Sequence, residues 1–295
     1  MSRFEYHQPE SLPEAVALAA RFGEEASFLA GGTDLIVQIG RGRVAPRHVV
    51  GLHRVPGLTG IEANGRVRLG ACVTHRAIER TPALAGALRC LVEGAEVIGG
   101  HQVRNVATVG GNLVNASPAA DLVPGLLALD GAVTLLGPGG ERELPVERFV
   151  LGPNRTARRP DELLTRVSLP VPAAGTATAF LKAGRRRAME ISVVCVAARL
   201  TLDASLERCL EARVALGAVA PTAVRAHQAE RALEGRPVGG EAFRRAAEAA
   251  QTACRPIDDV RASALFRQHL VGVLVRRALD RCVERARRAA TGRIA

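Results

Sequence analysis

The sequence predicts an α+β protein whose two parts are organised differently. β-prone and helical segments alternate up to about residue 172, and this alternation predicts two α/β subdomains at about 1–53 and 54–172. A stretch with Pro, Ala and Gly at 171–176 is the best linker candidate, and two β-prone runs followed by helices predict a small sheet, covered by helices on one side, over 173–295. With 295 residues and 47% hydrophobic composition, the chain is long enough for two or three domains with buried cores.

The first subdomain begins with a well-marked helix. Ser11 stands at an N-cap position, Glu14 completes a capping box, and apolar residues at helical spacing continue to about residue 22. The elements after this helix are a strand, a glycine turn, a short helix and a second strand, at 27–30, 31–32, 34–39 and 49–52. This succession is typical of a small βαβ-like unit.

The second subdomain continues the alternation, starting from residues 66–71, which have the period of two of a half-buried strand. The segments that follow are helices at 74–79 and 83–97, a β-prone stretch at 103–107, a second glycine turn, an apolar helix at 121–129, and strands at 132–136 and 163–169. In the last part of the chain, the β-prone runs are 191–202 and 212–219, and the helices are 222–233, 241–253 and 263–290.

Two glycine-paired turns, Ala30-Gly31-Gly32-Thr33-Asp34 and Thr108-Val109-Gly110-Gly111-Asn112, are the most informative motifs. Adjacent glycines permit positive φ and the close approach of another molecule, and successive N–H groups in such a turn form a concave anion site. Two such sites suit a ligand with two phosphates. The sequence contains no G-x-x-x-x-G-K-[ST] motif and no G-x-G-x-x-G after a strand, which excludes a P-loop and argues against a Rossmann dinucleotide domain.

Composition narrows the function classes further. The formal charge of +11 invites a nucleic-acid interpretation, but the chain has no Trp and one Tyr and so lacks stacking platforms. We therefore expect the basic helix face at 276–293 to be solvated or to dock on an acidic partner subunit. The six cysteines are scattered without a C-x-x-C pair, and this spacing argues against a zinc or iron–sulfur site held by this chain and favours reduced, buried thiols. With no long apolar run and no signal-like start, we expect a cytoplasmic protein without a transmembrane segment.

Lys182 is the only lysine among 40 Lys and Arg residues. A compact ammonium and a planar guanidinium are not interchangeable at a tight contact, so this lysine is a candidate site residue. The alternative is that a single lysine survived by chance in an arginine-biased chain.

At the two glycine turns the chain resembles the FAD-binding (medium) subunit of the molybdenum hydroxylases, a family that includes carbon monoxide dehydrogenase and xanthine dehydrogenase relatives. Further segments match that subunit in order along almost the whole chain, namely residues 116–121, 141–152, 161–164, 180–182, 214–221, 225–230 and 258–263. The resemblance therefore does not depend on the two turns alone.

The resemblance implies a vanillyl-alcohol-oxidase-type (PCMH) FAD-binding domain of two α/β subdomains over 1–172, and a C-terminal domain over 173–295 with a small antiparallel sheet and helices. FAD would lie between the subdomains, with its diphosphate held by backbone N–H groups of 31–34 and 108–112. The cofactor-binding residues that the resemblance implies are Ala30, Gly31, Gly32, Thr33, Asp34, Ile98, Thr108, Val109, Gly110, Gly111, Asn112, Ser117, Asp121, Leu164 and Lys182.

Three of these assignments have open alternatives. Asp121 begins a helix and is also a plausible N-cap. Leu164 is equally suited to the core. Lys182 would be a cation near the flavin ring, which would raise the flavin potential; its alternative is the chance survival of a single lysine.

The resemblance also implies a function as an electron relay. Electrons would come from a molybdenum-cofactor large subunit through the two [2Fe-2S] clusters of a small subunit, reach FAD here, and pass to NAD, a quinone or O2. No side chain of this chain would need to act as a catalytic acid or base, and the assembly would be a dimer of heterotrimers. The alternatives are a stand-alone FAD-dependent oxidoreductase acting on its own small substrate, and a catalytically silent assembly subunit.

Overall fold

A computed structural model describes residues 3–63, 65–186 and 189–292, so the outermost residues of the domains predicted at 1–172 and 173–295 lie outside the described ranges. The first sheet is parallel, in the order β1-β3-β2, and its elements are β1 (Glu5–His7), α1 (Leu12–Phe22), β2 (Ala26–Leu29), α2 (Leu35–Gly40) and β3 (His48–Gly51). The Ser11 hydroxyl caps α1 by accepting from the Glu14 N–H at 3.3 Å. The predicted βαβ-like unit is present, with an additional edge strand at residues 5–7.

The second sheet is antiparallel, in the order β4-β5-β10-β6-β7. Its part of the chain contains β4 (Ile61–Glu62), β5 (Val67–Gly70), α3 (His75–Arg80), α4 (Arg89–Glu96), α5 (His101–Val106), α6 (Val109–Asn115), α7 (Leu122–Ala128), β6 (Ala132–Gly137), β7 (Gly140–Pro145), α8 (Val146–Phe149), β8 (Val150–Gly152), β9 (Arg155–Thr156) and β10 (Leu163–Leu169). The helix predicted at 83–97 is shorter than expected, because two 3-10 turns precede α4 and Gly86, the first residue of the second turn, takes a φ of +67°.

The β-prone stretch predicted before the second glycine pair is wrong, because residues 101–106 form helix α5. Val103 and Val106 favour a strand by propensity, but the buried Arg104 holds this segment in place by donating to the carbonyls of Ile98 and Gly99 at 3.2 and 3.4 Å and pairing with Glu79. The second glycine pair itself lies in the first turn of helix α6 rather than in a free turn.

The third sheet is an antiparallel meander in the order β11-β12-β13-β14, and the elements are β11 (Thr176–Ala183), β12 (Val194–Leu202), β13 (Cys209–Gly217), β14 (Val224–Arg225), α9 (His227–Leu233), α10 (Gly240–Thr252) and α11 (Ala264–Ala290). All nine residues of β12 are buried. Side chains on one face, such as Val194 and Val196, pack with the C-terminal helices, and those on the other, such as Cys195 and Ala197, join the core of the first part of the chain.

The α+β class is thus confirmed, but the third sheet is covered on both faces rather than on one. All six cysteines are free and buried, as expected. Within the described ranges, no helix combines the length and the apolar character needed to cross a bilayer.

Candidate functional site

A cavity of about 780 Å³ lies where the turn between β2 and α2 meets α5, α6 and the start of β10. Eleven of the fifteen predicted site residues line it, and these are Ala30, Gly31, Gly32, Thr33, Asp34, Ile98, Thr108, Gly110, Gly111, Asn112 and Leu164. Residues distant in sequence therefore form one wall. The other four, Val109, Ser117, Asp121 and Lys182, lie elsewhere.

The first glycine turn presents unused hydrogen-bond donors to this cavity. In the described part of the chain, no acceptor bonds the backbone N–H groups of residues 31–34, although the carbonyl of Gly32 accepts from Ile36 at 3.2 Å. Gly32 has a φ of +71°, a conformation that turns successive N–H groups to the same side and that suits glycine. Four consecutive free donors on a cavity wall are suited to an anionic group such as a phosphate.

The second glycine pair differs, because its donors are already occupied. The N–H groups of Val109 and Gly110 donate to backbone carbonyls just after β5, at 3.0 and 2.9 Å. The Gly111 N–H donates to the Thr108 hydroxyl, the N-cap of α6, at 3.0 Å. The structure therefore has one N–H anion site with free donors, at residues 31–34, where the sequence predicts two. The second glycine pair instead forms the first turn of a capped helix in the cavity wall.

The glycines also control how closely the wall packs. A Cβ placed on Gly31 would lie 1.9 Å from the carbonyl oxygen of Val106, so only glycine allows the first turn to rest on the end of α5. A Cβ on Gly111 would meet only the Thr108 hydroxyl, at 3.0 Å, and Gly111 itself is exposed. Gly31 is thus required by packing, whereas Gly111 keeps the cavity surface free of a side chain.

Two buried polar atoms on the cavity wall have no partner. Among the described residues, nothing bonds Asn112 Oδ1 or His75 Nδ1, although both residues line the cavity. Unpaired buried polar atoms are rare in folded proteins, so their presence here fits a ligand with its own donors and acceptors. Together with the free N–H donors of 31–34, they match the polar and phosphate groups of a dinucleotide such as FAD.

Two titratable groups of the wall, His75 and Cys72, are held in their neutral forms. Burial lowers the pKa of His75 to about 4, with smaller and opposing effects from Glu79 and Arg104. Burial likewise raises the pKa of the Cys72 thiol to about 11. At neutral pH these side chains are a neutral imidazole and a thiol rather than an imidazolium and a thiolate.

Lys182 and Asp121 form a buried ion pair outside the cavity, 2.8 Å apart, with each side chain 8% exposed. Asp121 also accepts from the Ser192 hydroxyl and makes no bond to the N-terminus of α7, so the interpretation of Asp121 as a plain helix cap is wrong. Burial raises the pKa of Asp121, and Lys182 opposes that effect. The Lys182 ammonium also donates to the carbonyl of Val97 at 3.4 Å, directly before the cavity residue Ile98.

The remaining predicted residues have structural surroundings. Val109 is fully buried in the core, and the Ser117 hydroxyl accepts from the Ala119 N–H at 3.3 Å in the loop after α6. Leu164 is 3% exposed, belongs to the core and lines the cavity.

Sequence reasoning missed two arginines, Arg43 and Arg158, which line the cavity. The Arg158 guanidinium lies 5.6 Å from the centre of the Phe28 ring and donates to the Glu162 carbonyl at 2.8 Å. Burial lowers the pKa of Arg158, yet guanidinium remains charged in proteins. In a chain where nearly every basic residue is arginine, no local signal distinguishes these two.

Two family models match the chain. Residues 2–172 match the FAD binding domain in molybdopterin dehydrogenase, and residues 179–282 match the CO dehydrogenase flavoprotein C-terminal domain.

Curated relatives and solved structures agree with these matches. The chain is 33% identical to the carbon monoxide dehydrogenase medium chain of Hydrogenophaga pseudoflava, over 94% of this chain and 96% of the relative. It is 32% identical to a putative xanthine dehydrogenase FAD-binding subunit of Escherichia coli, over 95% of this chain and 96% of the relative. The structure of the Hydrogenophaga pseudoflava carbon monoxide dehydrogenase that lacks the Mo-pyranopterin moiety superposes with a TM-score of 0.92 at 34% identity, covering 96% of this chain and 98% of that one.

Proposed function

The chain belongs to the family of FAD-binding subunits of molybdopterin dehydrogenases, and from that membership we propose that it relays electrons from [2Fe-2S] clusters of a partner subunit to an external acceptor. FAD, when bound, supplies the redox chemistry, because a flavin accepts and releases electrons one or two at a time. The protein is thus an oxidoreductase subunit whose residues bind and orient the cofactor.

The observation that carries the proposal is the row of free N–H donors at residues 31–34 on the cavity wall. These donors would hold the diphosphate, and the guanidinium groups of Arg43 and Arg158 would add positive charge at the same cavity. Asn112 and His75 would bond the polar groups of the cofactor through their unpartnered atoms. The apolar side chains of Ile98 and Leu164 would exclude water from its ring.

The remaining predicted residues act from behind the wall in this proposal. Val109 packs the start of α6 in the core, and Ser117 orders the loop that follows it. Lys182 and Asp121 position the segment that carries Ile98 through the bond to the Val97 carbonyl. Residues 1–172 would form the FAD-binding domain, and residues 173–295 would cover it.

The protonation states of His75 and Cys72 fit a relay. Substrate oxidation by hydride transfer commonly needs a base near neutral pKa to remove a proton. With a pKa of about 4 for His75 and about 11 for Cys72, neither group is poised for that work. An electron relay needs no such base.

The proposal includes the partners. We infer that a molybdenum-cofactor large subunit and a [2Fe-2S] small subunit bind this chain in a dimer of heterotrimers, and that the acceptor is NAD, a quinone or O2. Relatives named for carbon monoxide and for xanthine match this chain at 33% and 32% identity. This near-equality supports a substrate site that lies on another subunit.

The test of the relay compares the isolated chain with the co-expressed complex. The purified chain should hold FAD and keep it oxidised when small organic substrates are added without oxygen. Flavin bleaching should occur only when a substrate-reduced complex containing molybdenum and [2Fe-2S] clusters is assembled. Bleaching of the isolated chain by an organic substrate would instead establish the stand-alone oxidoreductase, and failure to bind FAD would establish the silent assembly subunit.

The binding site is tested separately by Gly111→Val. The valine would place methyl groups on the cavity surface, and unaccommodated methyl groups typically cost about 1–3 kcal/mol, which corresponds to about 5- to 150-fold weaker FAD binding. Gly60→Val is the matched control, because a Cβ at Gly60 meets nothing within 4 Å. Flavin fluorescence titration of both apo-variants gives the affinities, and equal affinities would refute the assigned site.

A further inference from the structure

Three side chains of the first sheet, Glu5, His7 and His48, converge on one another and do not line the proposed FAD site. We propose that they bind a divalent first-row transition-metal ion, with two imidazoles and one carboxylate as ligands. Within the described ranges, this is the one place where three or more metal-ligating side chains bring their donor atoms within 4.8 Å of one another.

The strand pairing creates this cluster. β1 and β3 are parallel neighbours, and Glu5 lies in register with His48. Glu5 and His7 are two residues apart in β1, so their side chains leave the same face of the sheet. The backbone therefore brings all three side chains to one surface.

The distances between donor atoms are those that a shared ion requires. His7 Nε2 lies 3.1 Å from His48 Nδ1 and 3.9 Å from Glu5 Oε1, and the other carboxylate oxygen, Glu5 Oε2, lies 3.4 Å from His48 Nδ1. Ligands at about 2.0–2.1 Å from a tetrahedral ion are about 3.3 Å apart from one another. An ion would replace the hydrogen bond between the two facing imidazole nitrogens, and each neutral imidazole would bind it through the nitrogen that carries no proton.

The rings are held in place before an ion arrives. The Phe22 ring stacks on His48 with centroids 3.7 Å apart and planes 13° apart, and it lies 4.9 Å from the His7 ring. Both imidazoles are 16% exposed and Glu5 is 67% exposed, so an ion can enter from solvent and retain water.

The donor set selects the class of ion. Imidazole suits zinc, copper, nickel and iron, whereas magnesium and calcium require mostly oxygen ligands. Thiolates do not compete on the surface, because all six cysteines are buried. The expected ligand is therefore Zn²⁺ or a similar ion such as Co²⁺ or Ni²⁺.

The ion would fasten an edge strand. β1 has three residues and pairs only with β3 among the described strands. A bond network from Glu5 and His7 to His48 through one ion would tie β1 to the sheet whose β2 leads into the Gly31 turn. Since binding occurs in the folded state, the ion should raise the melting temperature.

The test uses the full chain after treatment with a chelator, titrated calorimetrically with ZnCl2 and optically with CoCl2. We expect one Zn²⁺ per chain, Co²⁺ d–d absorption of nitrogen- and oxygen-ligated metal, and a Zn²⁺-dependent rise in melting temperature. Loss of an outer-shell partner of a metal ligand costs about 10- to 100-fold in metal affinity. His7→Gln and His48→Gln each remove a direct ligand, so each should weaken Zn²⁺ binding by more than that. His53→Gln and His269→Gln, which alter exposed histidines outside the cluster, should bind Zn²⁺ like the unaltered chain.

Two results would overturn the proposal. One is the absence of stoichiometric binding at millimolar Zn²⁺, which would leave only a hydrogen bond between two imidazoles. The other is binding that survives both cluster substitutions, which would place the ion elsewhere. If a histidine variant fails to fold, Glu5→Gln alters the exposed ligand of the same cluster and decides the question by the same titrations. FAD content, measured in parallel, separates this outcome from failure of the proposed relay.

Discussion

Replacing Lys182 with methionine should destabilise the protein far more than loss of an exposed cation does. Methionine keeps a similar length and apolar stem but removes the ammonium, which bonds Asp121 at 2.8 Å and the carbonyls of Val97 and Glu190 at 3.4 and 3.1 Å. The Asp121 carboxylate is then left buried with only the Ser192 hydroxyl among these partners.

The burial of both side chains sets the size of the effect. Each is 8% exposed, so solvent screens their interaction little. Removal of one partner from a buried ion pair typically costs about 3–5 kcal/mol, which is the expected loss in the free energy of unfolding of Lys182→Met at pH 7. Arg47→Met is the matched control, because its pair with Glu25 at 3.0 Å is 76% and 51% exposed, and such surface pairs contribute about 0–1 kcal/mol.

The pH dependence of Lys182→Met provides a second readout. Burial already raises the pKa of Asp121, and removal of Lys182, which opposes that effect, raises it further. A carboxyl whose folded-state pKa is raised loses stability as pH increases from its unfolded value of about 3.9 through the folded-state pKa. The deficit of the variant should therefore be smaller at pH 5 than at pH 8.

The assay is urea denaturation followed by circular dichroism, applied to a double-mutant cycle. Lys182→Met with Asp121→Asn should cost less than the sum of the single changes, because the double variant buries no lone charge. We expect a coupling free energy of about 1–3 kcal/mol. Additive effects, within about 0.5 kcal/mol, would refute the buried-pair interpretation.

Two further predictions concern packing and acid stability. Gly31→Ala should destabilise the protein by about 1–3 kcal/mol or more and weaken FAD binding, because its Cβ would lie 1.9 Å from a carbonyl of α5. Thermal melting and flavin titration measure both effects, with Gly60→Ala as the control. Unchanged stability and FAD affinity in Gly31→Ala would contradict this prediction. Burial alone would raise the pKa of Glu230, but bonds from Arg225 and from a backbone N–H hold that pKa below its usual value. The resulting stability is present above the unfolded pKa of about 4.3 and is lost as pH falls below it. Glu230→Gln should therefore lower stability at pH 7 and flatten the acid limb of urea midpoint against pH, whereas Glu207→Gln, at an exposed site, should leave both unchanged.

The sequence predicted those elements of the fold that depend mainly on neighbouring residues. Ser11 and Glu14 marked the start of α1 because a cap is built from neighbouring residues. The pair Gly31-Gly32 marked a turn because a φ of +71° at Gly32 suits glycine whatever packs around it. The glycine motifs indicated part of the cavity lining, and the family resemblance added Ile98 and Leu164.

Tertiary contacts decided what the sequence could not. The N–H groups of Val109 and Gly110 are occupied by carbonyls almost 40 residues earlier in the chain, so no local pattern distinguishes the second glycine pair from the first. Composition singled out Lys182, but its partner Asp121 lies 61 residues away, so the sequence did not predict the buried pair. The cluster of Glu5, His7 and His48 was hidden for the same reason.

The excess positive charge has an internal function that composition conceals. Three acids of the first 172 residues, Glu93, Asp121 and Asp130, all bind cations from residues after 172. The cations are Arg285 on Glu93, Lys182 on Asp121, and Arg199, Arg213 and Arg225 on Asp130. Arg285 lies in the basic helix α11, so the expectation that this helix face is solvated or docks on another subunit is wrong at that position. In these ion pairs the acids belong to residues 1–172 and the bases to the residues after 172. If the two parts of the chain packed in a different relative position, buried charges would be left unpaired, so the charge pattern selects how the two parts fit together.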